Sequence, residues 1–217
     1  SATTGISCAS VGSSAGAVSI DSNIIRDVNV FQSLTTGSTS VTTGILSSGS
    51  VTQQSLNIRR NIVRDIVTSS GATSFTLPAI QGIAQTGNSV LYNISDNQIF
   101  NLSCVHSTAA NTLHCIFISG AGSLINMIAR NLLYGTSIAS SSTAAQHTGI
   151  YLANGGPQGY TIANNMISLG SSITADQIIY GIDEKTSSTV PFNIWFNSIY
   201  ISGASSSNTT RTSCLIR

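Results

Sequence analysis

One line recurs six times along this chain: isoleucine, two variable residues, asparagine, one variable residue, aliphatic. The isoleucines are Ile20, Ile58, Ile94, Ile128, Ile162 and Ile194. The asparagines three places on are Asn23, Asn61, Asn97, Asn131, Asn165 and Asn197. Each is followed two residues later by Ile25, Val63, Ile99, Leu133, Ile167 or Ile199. By subtraction the asparagines lie 38, 36, 34, 34 and 32 residues apart. A repeat of that length marks a solenoid, in which each unit buries its apolar side only against its neighbours.

A second line keeps phase with the first. Gly-Ile recurs at Gly5-Ile6, Gly44-Ile45, Gly82-Ile83, Gly149-Ile150 and Gly181-Ile182. The register calls for two further copies, and Cys115-Ile116 and Cys214-Leu215 stand at those places. Cysteine behaves as a small hydrophobe when buried, so it can replace glycine in a crowded column. From this residue to the next asparagine the distance is 18, 17, 15, 16, 16 and 16. That arc of the repeat is nearly constant. The length variation lies in the arc from the asparagine to the next glycine.

The local pattern selects strands. Helical repeats need apolar residues at i, i+3, i+4 and i+7 over ten or more positions. Here the runs are short and alternate, as in Val18/Ile20, Leu56/Ile58, Tyr92/Ile94, Tyr160/Ile162 and Phe192/Ile194. Period two is a strand with one buried face. Three short strands and three turns fit such a repeat. The expected fold is an all-β, right-handed single-stranded parallel β-helix solenoid of about six coils of 32–38 residues, with no evident caps. Residues 1–217 are expected to form a single β-helix domain, read as a segment of a longer solenoid.

In such a solenoid, equivalent residues of successive coils stack about 4.8 Å apart. The isoleucine column then fills the core, each side chain contributing about 1.5–3 kcal/mol on burial. The asparagine sits between two inward residues where the chain must turn. It tolerates left-handed geometry, and its amide can pass hydrogen bonds from coil to coil. This assigns the asparagines to the scaffold and leaves chemistry to the other columns.

Charge is scarce: 7% of residues, against 41% hydrophobic. That balance argues against disorder. A formal net charge of +1 gives no reason to propose nucleic acid as a partner. No run of about 18 apolar residues exists, so no membrane span is expected. The residues just before three consecutive asparagines, Arg60, Asp96 and Arg130, would stack as an ion ladder. Asp27 and Asp65, four places after theirs, would stack behind Arg26 and Arg64. Two carboxylates fall short of a calcium cage, which takes six to eight oxygens. His106, His114 and His147 share no column, and no C-x-x-C pair accompanies them, so no metal and no cofactor is expected. Among four cysteines, Cys104 and Cys115 are the one pair near enough in sequence to consider for a bridge; buried free thiols are the expectation.

Two sets of residues carry functional readings. Three places after the asparagine stand Phe100, Tyr134 and Tyr200, with Ser168 interrupting the row; Trp195 points outward two residues before Asn197. Outward aromatics on a flat sheet can stack on sugar rings, or simply on one another. Asp183-Glu184-Lys185 is the densest charged cluster and the one place for a general acid and base.

The lines YNISDNQIFNLS, YTIANNMISLG and FNIWFNSIYISG resemble right-handed parallel β-helix repeats of the pectate-lyase-like superfamily, most of all those in large secreted and cell-surface proteins of Bacteroidetes-type bacteria. The resemblance spans essentially the whole chain. It implies export to the cell surface or medium. The superfamily holds polysaccharide-active enzymes alongside adhesins and stalks; its lyases use clustered Asp/Glu for calcium and an Arg or Lys base, a cluster this sequence lacks. The expected function is therefore a non-enzymatic, extracellular structural or adhesive segment, displaying its coil faces and the Ser/Thr/Gly-rich loops Leu34–Thr43, Thr68–Thr76 and Ile138–Thr148. Alternatives are a glycan-binding or polysaccharide-cleaving β-helix and a head-to-tail self-assembling filament subunit. Expected partners are accordingly glycans, other cell-surface proteins, or a further coil stacked on one end.

Overall fold

The computed structural model describes residues 3–10, 16–32, 40–49, 53–70, 78–106, 110–154, 159–171, 173, 175–186, 191–203 and 212–216. They form a parallel β-solenoid with three sheets and no helix among them. Sheet I holds the Gly-Ile strands: Thr3–Ser10, Ser40–Gly49, Pro78–Gln85, Thr112–Ile118, Gln146–Leu152, Ile178–Glu184 and Thr212–Ile216. Sheet II holds the strands that lead into the asparagines, from Val18–Asp21 to Phe192–Trp195. Sheet III holds the strands that leave them, from Ile24–Ile25 to Ser198–Ile201. Five asparagine-to-asparagine steps join Asn23 to Asn197, about five turns, slightly fewer than the six coils expected.

The register follows the sequence lines. Ile6, Ile45, Ile83, Ile116, Ile150, Ile182 and Leu215 form one column of sheet I. The Ile20-to-Ile194 column runs up sheet II, buried from Ile20 to Ile162 and partly buried at Ile194. The aliphatics from Ile25 to Ile199 line the inner side of sheet III. Together they make one continuous core.

Close approach explains the glycine column. None of Gly5, Gly44, Gly82, Gly149 and Gly181 has positive φ. A Cβ on Gly82 would instead lie 2.6 Å from the carbonyl oxygen of Cys115 in the next coil and 2.6 Å from Cγ2 of Ile99 across the core. Gly149 meets Gly181 and Ile167, and Gly181 meets Cys214 and Ile199, in the same way. The glycines face β-branched residues, Ile25, Val63, Ile99, Ile167 and Ile199. Cys115 lies between Gly82 and Gly149 in this column, and Leu133 between Ile99 and Ile167 in the facing one. Leucine has no Cγ2 methyl, so it leaves space on the side where isoleucine would touch a Cβ. Within these two columns, the cysteine that replaces an inner glycine and the one aliphatic unbranched at Cβ thus occupy the same coil.

The asparagines form a hydrogen-bonded ladder. Asn97 Nδ2 donates to Asn131 Oδ1 in the coil above at 2.9 Å and to the Ile58 carbonyl in the coil below at 2.9 Å. Its Oδ1 accepts from the backbone N–H and the Nδ2 of Asn61, both at 3.0 Å. All four side-chain bonding positions are filled, which lets Asn61, Asn97, Asn131 and Asn165 be buried without an orphaned group. The left-handed turn residue is not the asparagine, as the sequence pattern suggested, but the one before it. Ser22, Arg60, Asp96, Arg130, Asn164 and Phe196 all have φ between 53° and 60°. The amide can reach the neighbouring coils because its own backbone stays out of the left-handed region.

Candidate functional site

With the core columns committed to packing and the asparagines to the ladder, the outward columns remain. On sheet III two lie side by side. One is Ile24, Ile62, Gln98, Leu132, Met166 and Ser198; the other includes Arg64, Phe100, Tyr134, Ser168 and Tyr200. Alternation places both outside, one on either side of the buried aliphatic column. The rings of Phe100 and Tyr134 stack at 4.8 Å with 10° between planes. The Arg64 guanidinium lies 6.0 Å from the Phe100 ring centre. Arg64, Phe100 and Tyr134 therefore form an unbroken stack over three coils.

Ser168 ends that stack. It is paired with Tyr200, which is 64% exposed. Beside Ser168, on the side of the Leu132–Met166–Ser198 column, an open cavity of about 200 Å³ is bounded by Leu132, Met166, Ser168, Ser198 and Tyr200, with Leu133, Ile167 and Ile199 beneath. Its lining is mostly apolar, with the Ser168, Ser198 and Tyr200 hydroxyls and main chain as its polar groups, and it contains no charged residue. Met166, 59% exposed, forms one wall. The break at Ser168 is visible in the sequence; Met166 becomes legible only once Leu132, Met166 and Ser198 are placed in one outward column.

Trp195 stands apart from this row. It ends the last strand of sheet II, opposite Ala163, and is half-exposed. Beside it Phe196 occupies the left-handed corner and is 82% exposed, an aromatic the alternation argument passed over because the corner breaks period two. Of the four aromatics singled out as glycan contacts, Phe100, Tyr134 and Tyr200 share one face and Trp195 lies on another.

The charged rows resolve into local pairs. Arg130 grips Asp96 bidentately, at 2.7 and 2.8 Å. Arg60 turns to Asp21, with Nε donating at 2.9 Å and NH2 also bonded, so the three-residue ladder Arg60–Asp96–Arg130 is split. The Arg60 hydrogen bond holds the Asp21 carboxyl below its ordinary range, and Arg130 does the same for Asp96. Arg26 pairs with Asp27 at 3.6 Å, and Arg64 with Asp65. Asp27, Asp65 and Asn101 are left-handed, with φ of 57°, 54° and 53°, and Gly135 follows them at 62°. Asp65 also accepts from Asn101 Nδ2 at 3.0 Å. These residues shape a second turn. No group of three or more His, Cys, Asp or Glu side chains able to hold a metal occurs among the described residues.

Asp183 and Lys185 make a tight knot on sheet I. Asp183 is fully buried, with Lys185 Nζ 3.0 Å from Oδ1 and Gln146 Nε2 donating to Oδ2 at 3.2 Å. The Lys185 ammonium also lies 5.7 Å from the Tyr180 ring centre. Glu184 accepts from the Thr186 N–H and hydroxyl. Tyr151, paired with Asp183 in the register, has its phenol pushed up by burial and by that carboxylate.

The histidines are interior. His114 stacks on Tyr151 at 4.6 Å, and burial pulls its pKa down to about 4. His147 faces the core, bonds the Thr136 hydroxyl through Nε2, and is pulled down to about 3 by burial and, secondarily, by His114. None of the four cysteines is in a disulfide. Burial pushes the Cys104 and Cys115 thiols up to about 12, which makes them poor nucleophiles, whereas Cys214 is exposed. The segment Ile138–Thr148, expected to be a display loop, is largely structural: Ile138, Ala145, His147 and Thr148 are buried. Residues 34–39 and 71–76 of the other two loops lie outside the described residues.

No protein-family model, no curated protein and no solved structure matches this chain.

Proposed function

We propose that this chain is a non-enzymatic, adhesive or structural segment of an exported protein, working through the outer face of sheet III. The observation that carries this reading is the aromatic stack of Phe100 and Tyr134 with the uncharged cavity at Ser168 next to it, held on a sheet whose inner side is packed solid. Rigid scaffolds bind with little ordering cost, and uncharged apolar patches are where contact surfaces gather. The charged clusters support the same reading: Asp183, Asp96 and Asp21 each have a cation within reach, which suits a scaffold more than an acid–base site.

A glycan array combined with a turnover assay on polyuronates tests it. We expect no turnover. Uronate cleavage that disappears in Asp183→Asn would replace this reading with the polysaccharide-cleaving one. Adhesion of chain-coated beads to cell surfaces, lost in Tyr134→Ala/Tyr200→Ala, is the positive arm. A second reading is stacking of a further coil, from a longer chain or another copy, on the last described coil. It is favoured by Ile194, Ile199 and Phe192 being only partly buried there and Leu215 exposed. Sedimentation of the chain at rising concentration tests the version with another copy.

A further inference from the structure

The geometry points to the cavity at Ser168 as a subsite for one uncharged aromatic ring, a phenol or indole side chain offered by a protein partner. The row Phe100, Tyr134, Ser168, Tyr200 is an aromatic column with one ring missing. Phe100 and Tyr134 already stack at 4.8 Å, the rise of one coil. A ring entering above Ser168 would be one such rise from Tyr200, inside the roughly 4.5–7 Å range of favourable aromatic pairs. The remaining walls are Leu132 and the Met166 thioether, and sulfur–aromatic contact is favourable at about 5 Å. A volume of about 200 Å³ admits a single ring.

The lining also selects against the other ring a stacked aromatic row can take. Sugar hydroxyls are typically met by carboxylate, amide or guanidinium groups, and this cavity has none; besides main chain it offers the hydroxyls of Ser168, Ser198 and Tyr200. The nearest side-chain cation on the same row, Arg64, is three coils away and is engaged with Asp65 and Phe100. The inference rests on the contact-surface reading above and names its chemistry.

The chain contains two methionines, which makes the test direct. Methyl-labelled protein has one reporter in the cavity, Met166, and one on sheet II, Met127, paired with Asn93 and Thr161. Titrating with indole or p-cresol is expected to shift the Met166 methyl resonance by ring current, leaving Met127 unmoved, with a dissociation constant on the order of millimolar for so small a ligand. Ser168→Tyr, which fills the row from an outward position, should weaken the effect at least tenfold; Tyr200→Ala should weaken it less. The proposal is overturned if neither methyl moves, if both move alike, if Ser168→Tyr leaves the shift intact, or if methyl glucoside shifts Met166 and the aromatics do not. If the rings bind as described and chain-coated beads adhere to nothing, the adhesive reading fails while the subsite stands.

Discussion

Two polar columns run up this solenoid one residue apart, and they do opposite work. The asparagines point inward, and Asn61, Asn97, Asn131 and Asn165 are buried; the residues before them, among them Arg60, Asp96 and Arg130, take the left-handed corner and point out. Both repeat with the coil and both bond across coils. Inside, a donor or acceptor is shielded from bulk solvent and depends on a neighbouring coil for its partner, and an orphaned group costs about 1–3 kcal/mol. Outside, water competes for each charge and the net gain of a pair is about 0–1 kcal/mol. Periodicity alone does not say which polar column holds the structure together; burial does.

The comparison breaks most visibly if an asparagine is dispensable. Asn97→Ala strips the acceptor from the Asn61 N–H and Nδ2 and the donor from the Ile58 carbonyl. We expect a loss of about 3–5 kcal/mol in urea unfolding, three unmet groups at 1–3 each with partial relaxation.

The steric column predicts a smaller effect with a built-in rescue. Gly82→Ala should cost about 1–3 kcal/mol, the scale of overpacking against a carbonyl and a methyl that are both fixed. Ile99→Leu, copying the Leu133 arrangement in the next coil, should recover part of that cost in the double variant. Strict additivity of the two changes in a double-mutant cycle would contradict the proposed fit.

The interior histidines give the comparison a pH axis. Their folded pKa values, about 4 for His114 and about 3 for His147, lie below the unfolded value, so the unfolded chain binds more protons. Their contribution is complete above about pH 6.5 and is lost as pH falls from there, at up to about 1.4 kcal/mol per pH unit for each. His147→Gln should remove one such share of the slope between pH 6.5 and 4. An unchanged slope would mean that His147 is not buried as a neutral ring.

The smallest effect belongs to the outer column. Arg130→Ala should cost less than about 1 kcal/mol, and 0.5 M salt should erase most of the difference. A loss as large as that of Asn97→Ala would erase the distinction between the two columns.

Much of the fold was legible because stacking repeats the same in-or-out choice in every coil. The Gly-Ile register, with cysteine at 115 and 214, matches the strand pairing residue for residue. The period-two pairs, such as Leu56/Ile58 and Tyr92/Ile94, point inward as the alternation requires. Direction along the axis was not legible. Arg60 has a carboxylate a coil away on either side, and the sequence cannot say that it turns to Asp21 and away from Asp96. Nor does composition separate a buried arc from a display loop: Ile138–Thr148 is rich in Ser, Thr and Ala, yet Gln177 bonds the Ile138 and Ser140 carbonyls and binds that arc to the next coil. The break at Ser168 could be read, but a cavity exists only where two outward columns meet, and that needs the register.

The most direct test of the ladder is amide hydrogen exchange at Asn61, Asn97, Asn131 and Asn165. Each backbone N–H donates to a side-chain oxygen of the next coil at 3.0–3.1 Å, with no backbone acceptor involved. The account predicts that these four exchange only by global unfolding, as slowly as the strand amides of Ile58, Ile94 and Ile128. Exchange at the rate of an open corner, orders of magnitude faster than those strands, would contradict it.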